Sequence, residues 1–419
     1  MLQINDFLFK SIYVGVKESR FWNTDGRDFR ILIKPFLIFV KSLLFFLVDS
    51  LALSNVQSFS NNQLKLILIN RQDAIGDFVM WLDTAKEYRK LYPTEKYELV
   101  LIGNALWCGL ANQLPYWDKV IPVNVKQFKS FSRYRWKLLR KIRKLKIETA
   151  IQPTFSREFY HGDSLVRACR ALRKVSSDGD MSNRNWLKKI LSDRWNTDLI
   201  PASPDSMTEL ERNAEFFSGF SRSPYFASFP RIKIPEFLIK SELKDQTFYV
   251  LVPGTSGSVV GKEWPPSSFS NIASKVYKQT GWNGIICGVK NEYCLGEQIR
   301  EQCDAPLQNL SGQTSLPELA GLLSKSQLTV SNDTGAVFIS SAVGTRSVCI
   351  LGGGHFGRFL PYPDIHGQEN NIEVAFHEMP CYGCSWKCIY KIKKGDPTPC
   401  ISNIRVDEVW SKIKPLLNE

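Results

Sequence analysis

Short apolar runs alternate with stretches of helical spacing from residue 64 onward. Residues 64–70 (LKLILIN) predict a buried strand, and residues 97–103 (YELVLIG) predict a second one. Between them, residues 71–77 contain a glycine and predict a turn, while residues 78–92 have helical spacing that stops at Pro93. This order of strand, turn, helix and strand implies a parallel sheet with right-handed crossovers.

The same alternation restarts near residue 247. It predicts strands over 247–254, 283–289, 328–333 and 346–353 and helices over 268–281, 316–326, 334–344 and 405–417. The fold class is therefore α/β, with two doubly wound, Rossmann-like halves facing each other across a cleft. Ligands of such halves bind at the carboxyl ends of the strands.

Two segments depart from this pattern. Residues 31–53 are the most apolar stretch of the chain and predict a helix that lies in a membrane interface, packs on the protein or spans a membrane.

Residues 126–146 carry ten basic residues and no acidic one, with apolar residues every third position, which predicts a basic amphipathic helix. This helix is either a solvated face, an attachment to anionic lipid or lipid-borne phosphate, or, least favoured, a nucleic-acid contact.

Charge divides the chain in two. Of its 419 residues, 43% are hydrophobic and 23% charged, which excludes disordered, collagen-like and multispanning membrane proteins. The net charge is +13, and counting along the sequence places 39 basic and 26 acidic residues in 1–245 against 15 of each in 246–419. The first half is thus expected to meet an anionic partner.

The turn at residues 71–77 carries two carboxylates, Asp73 and Asp77, around Gly76. Asp77 falls at or just before a helix start at the cleft, where it could take a proton from an incoming hydroxyl. The alternative is a plain helix N-cap, a position that aspartate fills well.

Two further loops are candidates for binding phosphate. Residues 253–265 (PGTSGSVVGKEWP) combine small and hydroxyl residues with Lys262, and they predict a phosphate or diphosphate site or else a flexible surface loop. Residues 331–335 (SNDTG) precede a helix whose N–H groups suit an anion, with Asp333 positioned to orient a sugar hydroxyl, to pair with Lys262 or simply to cap the helix. A later glycine-rich stretch, 352–357, is interpreted as a loop beside the same diphosphate, to which His355 or Arg358 contributes.

The three motifs RQDAIGD, PGTSGSVVGKEWPP and SNDTGAVFISSAVGT, in this order and spacing, resemble those of glycosyltransferase family 9, the bacterial lipopolysaccharide heptosyltransferases. The resemblance covers residues 64–417 and implies a GT-B fold with the acceptor on the N-terminal domain and a nucleotide-sugar on the C-terminal one. It also implies inverting transfer from an ADP-heptose-type donor without a required metal or cofactor.

The resemblance assigns roles residue by residue. Asp77 corresponds to the catalytic base. The residues that correspond to donor-binding positions are Thr255, Ser256, Ser258, Lys262, Asp333, Thr334 and Gly335. The acceptor-binding candidates are Asp73 and the basic Arg135, Arg140 and Lys144. One position departs from the family: its usual histidine, three residues after the glycine, is Phe338, whose ring cannot donate to a phosphate.

Four of the ten cysteines lie within twenty residues: Cys381, Cys384, Cys388 and Cys400. Four thiolates can hold a tetrahedral zinc ion, although the spacing after the first pair is not that of a standard zinc ribbon. A structural zinc and a set of reduced thiols in a compact flap remain the two main interpretations, and a disulfide or an iron–sulfur centre the lesser ones.

The prediction is an N-terminal extension (1–60), an acceptor-binding domain (61–235), a nucleotide-sugar-binding domain (246–400) and a C-terminal helix (401–419). The expected function is sugar transfer to a lipopolysaccharide or related cell-surface glycan. The expected partners are an anionic lipid-linked acceptor and an anionic membrane surface, not nucleic acid. Because residues 1–30 lack a cleavable signal peptide, we expect a peripheral protein on the cytoplasmic face of the membrane. The alternatives are a non-catalytic glycan- or nucleotide-binding relative and a membrane-associated scaffold.

Overall fold

The computed structural model describes residues 26–57, 64–238, 243, 246–257, 259–393 and 395–417. Its contacts divide the chain into one unit that ends at Asn55 and a second unit from Val56 to Glu419. Ser258 and residues 1–25 of the predicted N-terminal extension lie outside the described residues.

The first unit contains a helix of 28 residues, Gly26–Leu53, which agrees with the helix predicted over 31–53. Phe39, Leu43, Leu47 and Leu51 recur every fourth residue along it and are all exposed, so they form an apolar stripe on one side of the helix. Among the described residues, no helix is both long enough and apolar enough to cross a membrane.

The second unit begins with a parallel sheet of six described strands, β1 (Lys65–Arg71), β2 (Tyr97–Asn104), β3 (Lys119–Val123), β4 (Lys146–Gln152), β5 (Arg170–Ser177) and β6 (Asp198–Ile200). Their order in the sheet is β3-β2-β1-β4-β5-β6. The chain moves outward in one direction from β1 and then in the other from β4, so the carboxyl ends of β1 and β4 mark the point where a doubly wound sheet opens a crevice.

Helices cover both faces of this sheet. They are Ile75–Ala85, Glu87–Leu91, Cys108–Ala111, Val125–Phe128, Arg133–Lys144, Ser164–Ala168, Trp186–Asp193 and Glu209–Ser221, with a π-helical turn at Phe159–Asp163. The basic segment is thus two helices rather than one: the first ends at Phe128, and the Ser132 hydroxyl caps the second by accepting a hydrogen bond from Arg135 N.

A second parallel sheet of six described strands follows, β7 (Phe248–Val252), β8 (Asn283–Ile286), β9 (Leu307–Asn309), β10 (Thr329–Asn332), β11 (Ser347–Ile350) and β12 (Ile372–Ala375), in the order β12-β11-β10-β7-β8-β9. Its helices are Pro266–Thr280, Tyr293–Glu301, Leu316–Leu323, Gly335–Ala342, Pro399–Ser402 and Val406–Leu416, and 3-10 turns occupy Glu236–Leu238, Lys290–Glu292 and Gly353–His355. The predicted α/β class with two doubly wound halves is confirmed.

The two halves meet at the turns that follow β1 and β10. Gly335 approaches the first half so closely that a Cβ atom there would lie 2.6 Å from Cγ2 of Ile75. One turn further along its helix, the Phe338 ring packs on Gly76, where a Cβ atom would lie 3.0 Å from Cδ2 of Phe338. The carboxyl ends of the two sheets therefore adjoin, and the predicted base Asp77 directly follows a residue that contacts the helix Gly335–Ala342.

Candidate active site

A cavity of about 360 Å³ opens at the carboxyl ends of β1, β2 and β4. We call it the polar cavity, and its lining residues are Asn70, Gln72, Asp73, Ala74, Asp77, Asn104, Leu106, Val125, Lys129, Gln152, Thr154, Ser156, Glu158, His161, Gly162, Asn183, Glu209 and Arg358. The π-helical turn Phe159–Asp163 brings His161 and Gly162 into its wall, in line with the frequent occurrence of π turns at functional sites. Asp73 and Asp77, two of the predicted site residues, lie together here.

Asp77 occupies the first turn of helix Ile75–Ala85, whose N-cap is Ala74. The carboxylate is thus not the cap of its own helix, and the N-cap interpretation is wrong. Its pKa is raised to about 7, first by burial and then by the nearby carboxylates of Glu209 and Asp73, against the lowering effect of Arg71 and Arg358. A carboxylate with a pKa near neutrality suits a general base.

A buried arginine holds two carboxylates beside Asp77. Arg71 is fully buried, and its guanidinium lies 2.8 Å from Asp73 Oδ2 and 3.0 Å from Glu209 Oε1. It also donates to Asn213 Oδ1 at 2.8 Å. Sequence reasoning missed Glu209, because this residue belongs to a helix far along the chain from Asp77 and no local motif marks it.

Arg358 links the second half to the polar cavity. Its carbonyl accepts a hydrogen bond from Glu209 N at 2.9 Å, its guanidinium lies 3.6 Å from Glu209 Oε2, and it donates to Ser156 Oγ at 3.3 Å. The glycine-rich loop was predicted to serve the diphosphate. That role stays a prediction: the charges of Lys262 and Asp333 act on the pKa of His355, while Arg358, just after the loop, completes the wall of the first half's cavity.

Lys262 and Asp333 form an ion pair on the donor side, with Nζ 2.8 Å from Oδ2 and side chains only 14% and 8% exposed. The Lys262 ammonium also lies 5.0 Å from the ring centroid of Trp386, within the range of a cation–π interaction. Of the roles considered for Asp333, pairing with Lys262 is therefore realised in the structure.

The predicted phosphate loop has its backbone donors engaged. Thr255 N and Oγ1 donate to Glu263 Oε1 at 3.3 and 3.1 Å, and Ser256 N donates to Glu292 Oε1 at 2.6 Å. Ser256 adopts a left-handed backbone with φ of 53°. These contacts of the two carboxylates were not predicted from the sequence, and Lys262 is the basic residue within the loop.

The helix at Gly335–Ala342 offers its amino terminus to the cleft. Thr334 is its N-cap and makes no side-chain capping hydrogen bond, so its first N–H groups lack that partner. Phe338, at the position where the resemblance expects histidine, is buried and packs on Gly76 and near Tyr362, with ring centroids 6.2 Å apart. The phenyl ring joins the two halves, a role that sequence reasoning did not foresee.

Three predicted acceptor residues lie elsewhere. Arg135 is 1% exposed and donates to Phe128 O, Tyr160 O and Ser164 Oγ at 2.5–2.8 Å, so it is a structural residue within the fold. Arg140 and Lys144 lie on helix Arg133–Lys144 and do not line the polar cavity. The predicted helical spacing holds only over Arg133–Lys144, where Leu139 and Ile142 are buried but Trp136 is exposed, and it does not indicate which basic side chains turn inward.

The four clustered cysteines, Cys381, Cys384, Cys388 and Cys400, line one small cavity as free thiols. In the described part of the chain, no three His, Cys, Asp or Glu side chains are arranged to hold a metal ion. The zinc site therefore gains no support from the geometry and stays a prediction. The segment between these cysteines covers the glycine-rich loop, since a Cβ atom on Gly354 would lie 2.4 Å from the Trp386 ring.

Curated relatives match part of the chain. The lipopolysaccharide core heptosyltransferase OpsX of Haemophilus influenzae is 26% identical over 161 residues, which cover 37% of this chain and 44% of the relative. Lipooligosaccharide heptosyltransferase 2 of Campylobacter jejuni is 25% identical over 170 residues, which cover 40% and 50%. The chain thus spans about half the length of the curated relatives it matches.

Solved structures match the fold over most of the chain. E. coli ADP-heptose lipopolysaccharide heptosyltransferase II has a TM-score of 0.62 at 17% identity and covers 85% of this chain and 99% of its own. The family 9 glycosyltransferase of Veillonella parvula has a TM-score of 0.63 at 16% identity and covers 87% and 99%. These similarities place the chain among proteins of the GT-B fold.

One family model completes the comparison. The model for glycosyltransferase family 9 (heptosyltransferase) matches residues 170–388, just over half of the 419 residues. The chain therefore belongs to glycosyltransferase family 9.

Proposed function

We propose that this protein is an inverting glycosyltransferase that moves a heptose-like sugar from a nucleotide-diphosphate donor to a cell-surface glycan acceptor. One observation carries the proposal. Asp77, whose pKa is raised to about 7, lines a sugar-sized cavity directly beside the helix that begins at Gly335. The Lys262–Asp333 pair is close to that helix start along the chain, because Asp333 directly precedes the N-cap residue Thr334.

The proposed reaction begins with the acceptor in the polar cavity. The Asp77 carboxylate takes the proton of the acceptor hydroxyl as that oxygen attacks the anomeric carbon of the donor. The bond between the anomeric carbon and the diphosphate oxygen breaks on the opposite face, so the configuration inverts. The proton stays on Asp77, and its pKa near 7 lets the group release it again at neutral pH.

The leaving diphosphate needs positive charge. Lys262 supplies positive charge that its pair with Asp333 partly offsets, and the amino terminus of helix Gly335–Ala342 supplies N–H groups and the positive end of a helix dipole. Preorganised charge of this kind usually provides the largest single contribution to catalysis. We propose that no metal ion takes part, so activity should persist in EDTA.

The donor is proposed to be an ADP-sugar of the heptose type, because two solved relatives are described as an ADP-heptose transferase and as a complex with an ADP-heptose analogue. The acceptor is proposed to be a lipopolysaccharide-type glycan, after the names of the curated relatives.

A screen of nucleotide-sugars tests the proposal. ADP-heptose should raise the thermal unfolding midpoint more than UDP- and GDP-sugars do, and it should release ADP when lipid-linked acceptor is added. Stabilisation by a UDP- or GDP-sugar in place of every ADP-sugar would refute the proposed donor. The absence of sugar transfer from any stabilising donor would refute the activity.

A non-catalytic relative is the second candidate, and Phe338 is the observation that favours it. Its ring packs on Gly76 in the contact between the two halves and offers no hydrogen-bond donor to a phosphate. Under this alternative, ADP-sugars stabilise the protein but neither transfer nor donor hydrolysis occurs.

We also propose that the basic segment attaches the protein to anionic membrane surfaces at the cytoplasmic face. Arg133, Lys137, Lys141 and Lys144 recur every three or four residues on helix Arg133–Lys144 and are all exposed. Each basic residue near an anionic surface contributes about 1 kcal/mol of attraction. We expect flotation with vesicles rich in phosphatidylglycerol and much weaker flotation when these four residues are glutamine. Equal binding to phosphatidylcholine vesicles would contradict an electrostatic attachment.

Replacing Glu209 with glutamine should shift the pH dependence of transfer. Glu209 raises the pKa of Asp77 and also pairs with Arg71, which lowers it. Removing the carboxylate therefore lowers the pKa of Asp77 in two ways, because it removes a repelling negative charge and frees the positive charge of Arg71. The acidic limb of the kcat/KM pH profile should move about half a pH unit lower, which corresponds to about 0.7 kcal/mol. Glu148→Gln, which alters an exposed pair with Lys65 outside the cavity, is the control. An unchanged limb in Glu209→Gln would show that Asp77 does not set it.

A further inference from the structure

The wall of the polar cavity is rich in amides and carboxylates. Its amide residues are Asn70, Gln72, Asn104, Gln152 and Asn183, and its carboxylates are Asp73, Asp77, Glu158 and Glu209. Lys129 and Arg358 are its two cations among the described residues. The cavity wall therefore does not share the net positive charge of the first half of the chain.

Both cations of the wall already have carboxylate partners. Lys129 Nζ lies 3.0 Å from Glu158 Oε2, and the Arg358 guanidinium lies 3.6 Å from Glu209 Oε2. Behind the wall, Arg71 is paired with Asp73 and Glu209. The cations near the cavity are therefore already neutralised by carboxylates. A carboxylate or phosphate inside the cavity would gain little attraction from them and would be repelled by the remaining negative charge.

Two glutamines of the wall have an acceptor atom without a partner. Gln72 and Gln152 are 4% and 1% exposed, and neither Oε1 atom accepts a hydrogen bond within the described structure. Their orientations are fixed, because Gln72 Nε2 donates to Ile102 O at 3.1 Å and Gln152 Nε2 donates to Asp163 Oδ1 at 3.3 Å. These enclosed oxygens lie close behind the wall and add partial negative charge there, which opposes a further negative charge in the cavity.

His161 adds a third such atom. It is 7% exposed, and its Nδ1 makes no hydrogen bond in the part of the chain that the structure describes. Burial, Lys129 and Arg135 lower its pKa well below the usual range, so the imidazole is neutral at pH 7. Its Nε2 lies 3.7 Å from Glu158 Oε2, too far for a direct hydrogen bond.

We infer that the sugar unit bound in the polar cavity is an uncharged polyol and not a sugar acid or a sugar phosphate. This inference rests on the proposed function and specifies the acceptor of that site. Paired cations, a wall rich in amides and carboxylates and a volume of about 360 Å³ all suit a ring of hydroxyl groups. Any anionic groups of the whole acceptor bind outside the cavity.

The test measures binding and not turnover. Saturation-transfer NMR on the full chain with ADP present compares methyl glycosides of glucose, galactose and mannose with the methyl glycosides of the corresponding uronic acids. At least one neutral glycoside should bind, with its affinity about tenfold or more above that of its uronate. A uronate that binds as tightly as its neutral partner, or no binding by any neutral glycoside, would overturn the inference.

Glu158→Gln tests whether charge or shape keeps anionic sugars out of the polar cavity. The variant frees Lys129 from its partner, so the ratio of uronate affinity to neutral-glycoside affinity should rise several-fold. Glu148→Gln, which frees the exposed Lys65 outside the cavity, should leave both affinities unchanged. If Glu158→Gln does not raise that ratio, charge compensation in the wall is not what excludes anions, and the inference is wrong.

Different experimental results would refute the inference and the proposed function. Neutral glycosides that bind without any donor being turned over would refute the transferase and leave the assignment of the cavity intact. Sugar transfer to an acid acceptor unit would confirm the transferase and refute the inference.

Discussion

Asp77→Asn is expected to lower the rate of sugar transfer by about 10²–10⁴-fold, the usual contribution of a general base. An amide cannot accept the proton of the acceptor hydroxyl, while its size and its place in the first turn of helix Ile75–Ala85 are unchanged. The affinity for ADP should stay the same, because the donor-side groups Lys262 and Asp333 belong to the second half. ADP release and ADP binding by calorimetry measure the two quantities.

Thermal unfolding of Asp77→Asn shows whether its activity falls through loss of the base or through loss of the fold. The pKa of Asp77 is about 7 in the folded protein, above its usual value of 3.8, so ionisation is opposed by the fold. The unfolded chain releases this proton from about pH 4 and the folded chain only near pH 7, so stability falls across that window as pH rises. Asp77→Asn removes this loss, and we expect a higher unfolding midpoint than wild type at pH 8 and little difference at pH 4.

The variant Asp73→Asn tests whether Asp77 or the nearby Asp73 is the base. Asp73 lines the same cavity but is held by Arg71 at 2.8 Å, so it is a positioning residue rather than the base. Its variant should lose less activity than Asp77→Asn. A result in which Asp73→Asn is inactive and Asp77→Asn retains near wild-type turnover would exchange their roles.

Much of the fold can be predicted from local sequence, because buried parallel strands are short apolar runs. The runs at 64–70 and 247–254 became the central strands β1 and β7, and the turns after β1 and β10 became the two sides of the cleft. The contact between the turn that carries Asp77 and the start of helix Gly335–Ala342 agrees with the rule that ligands bind at switch points of doubly wound sheets.

Contacts between distant segments could not be predicted in this way. Glu209 and Arg358 complete the environment of Asp77, yet no spacing relates them to it. Arg135 shows the opposite failure: it belongs to the predicted basic helix, but it packs inside with its guanidinium 4.5 Å from the Phe128 ring centroid. A long basic side chain can turn to either face at a helix boundary, and only the packing decides which.

Lys262→Ala is expected to reduce kcat/KM for transfer by about 10²–10³-fold, the effect of removing one preorganised electrostatic group. Lys262 is the basic residue of the predicted phosphate loop, whose N–H groups at Thr255 and Ser256 already donate to carboxylates. Loss of Lys262 also leaves the largely buried Asp333 unpaired, so both donor affinity and stability should fall. ADP binding by calorimetry and thermal unfolding measure the two effects.

Lys275→Ala is a closely matched control for this change. Lys275 lies in the same half, pairs with Asp407 at 3.3 Å and stands 5.7 Å from the Trp410 ring centroid, but it is exposed. Its loss should change neither ADP affinity nor transfer. The double variant Lys262→Ala/Asp333→Ala should regain stability without regaining ADP affinity, because it removes the unpaired carboxylate but restores no cation. ADP binding that is unchanged in Lys262→Ala would show that the diphosphate is held elsewhere, and the proposed leaving-group stabilisation would then be wrong.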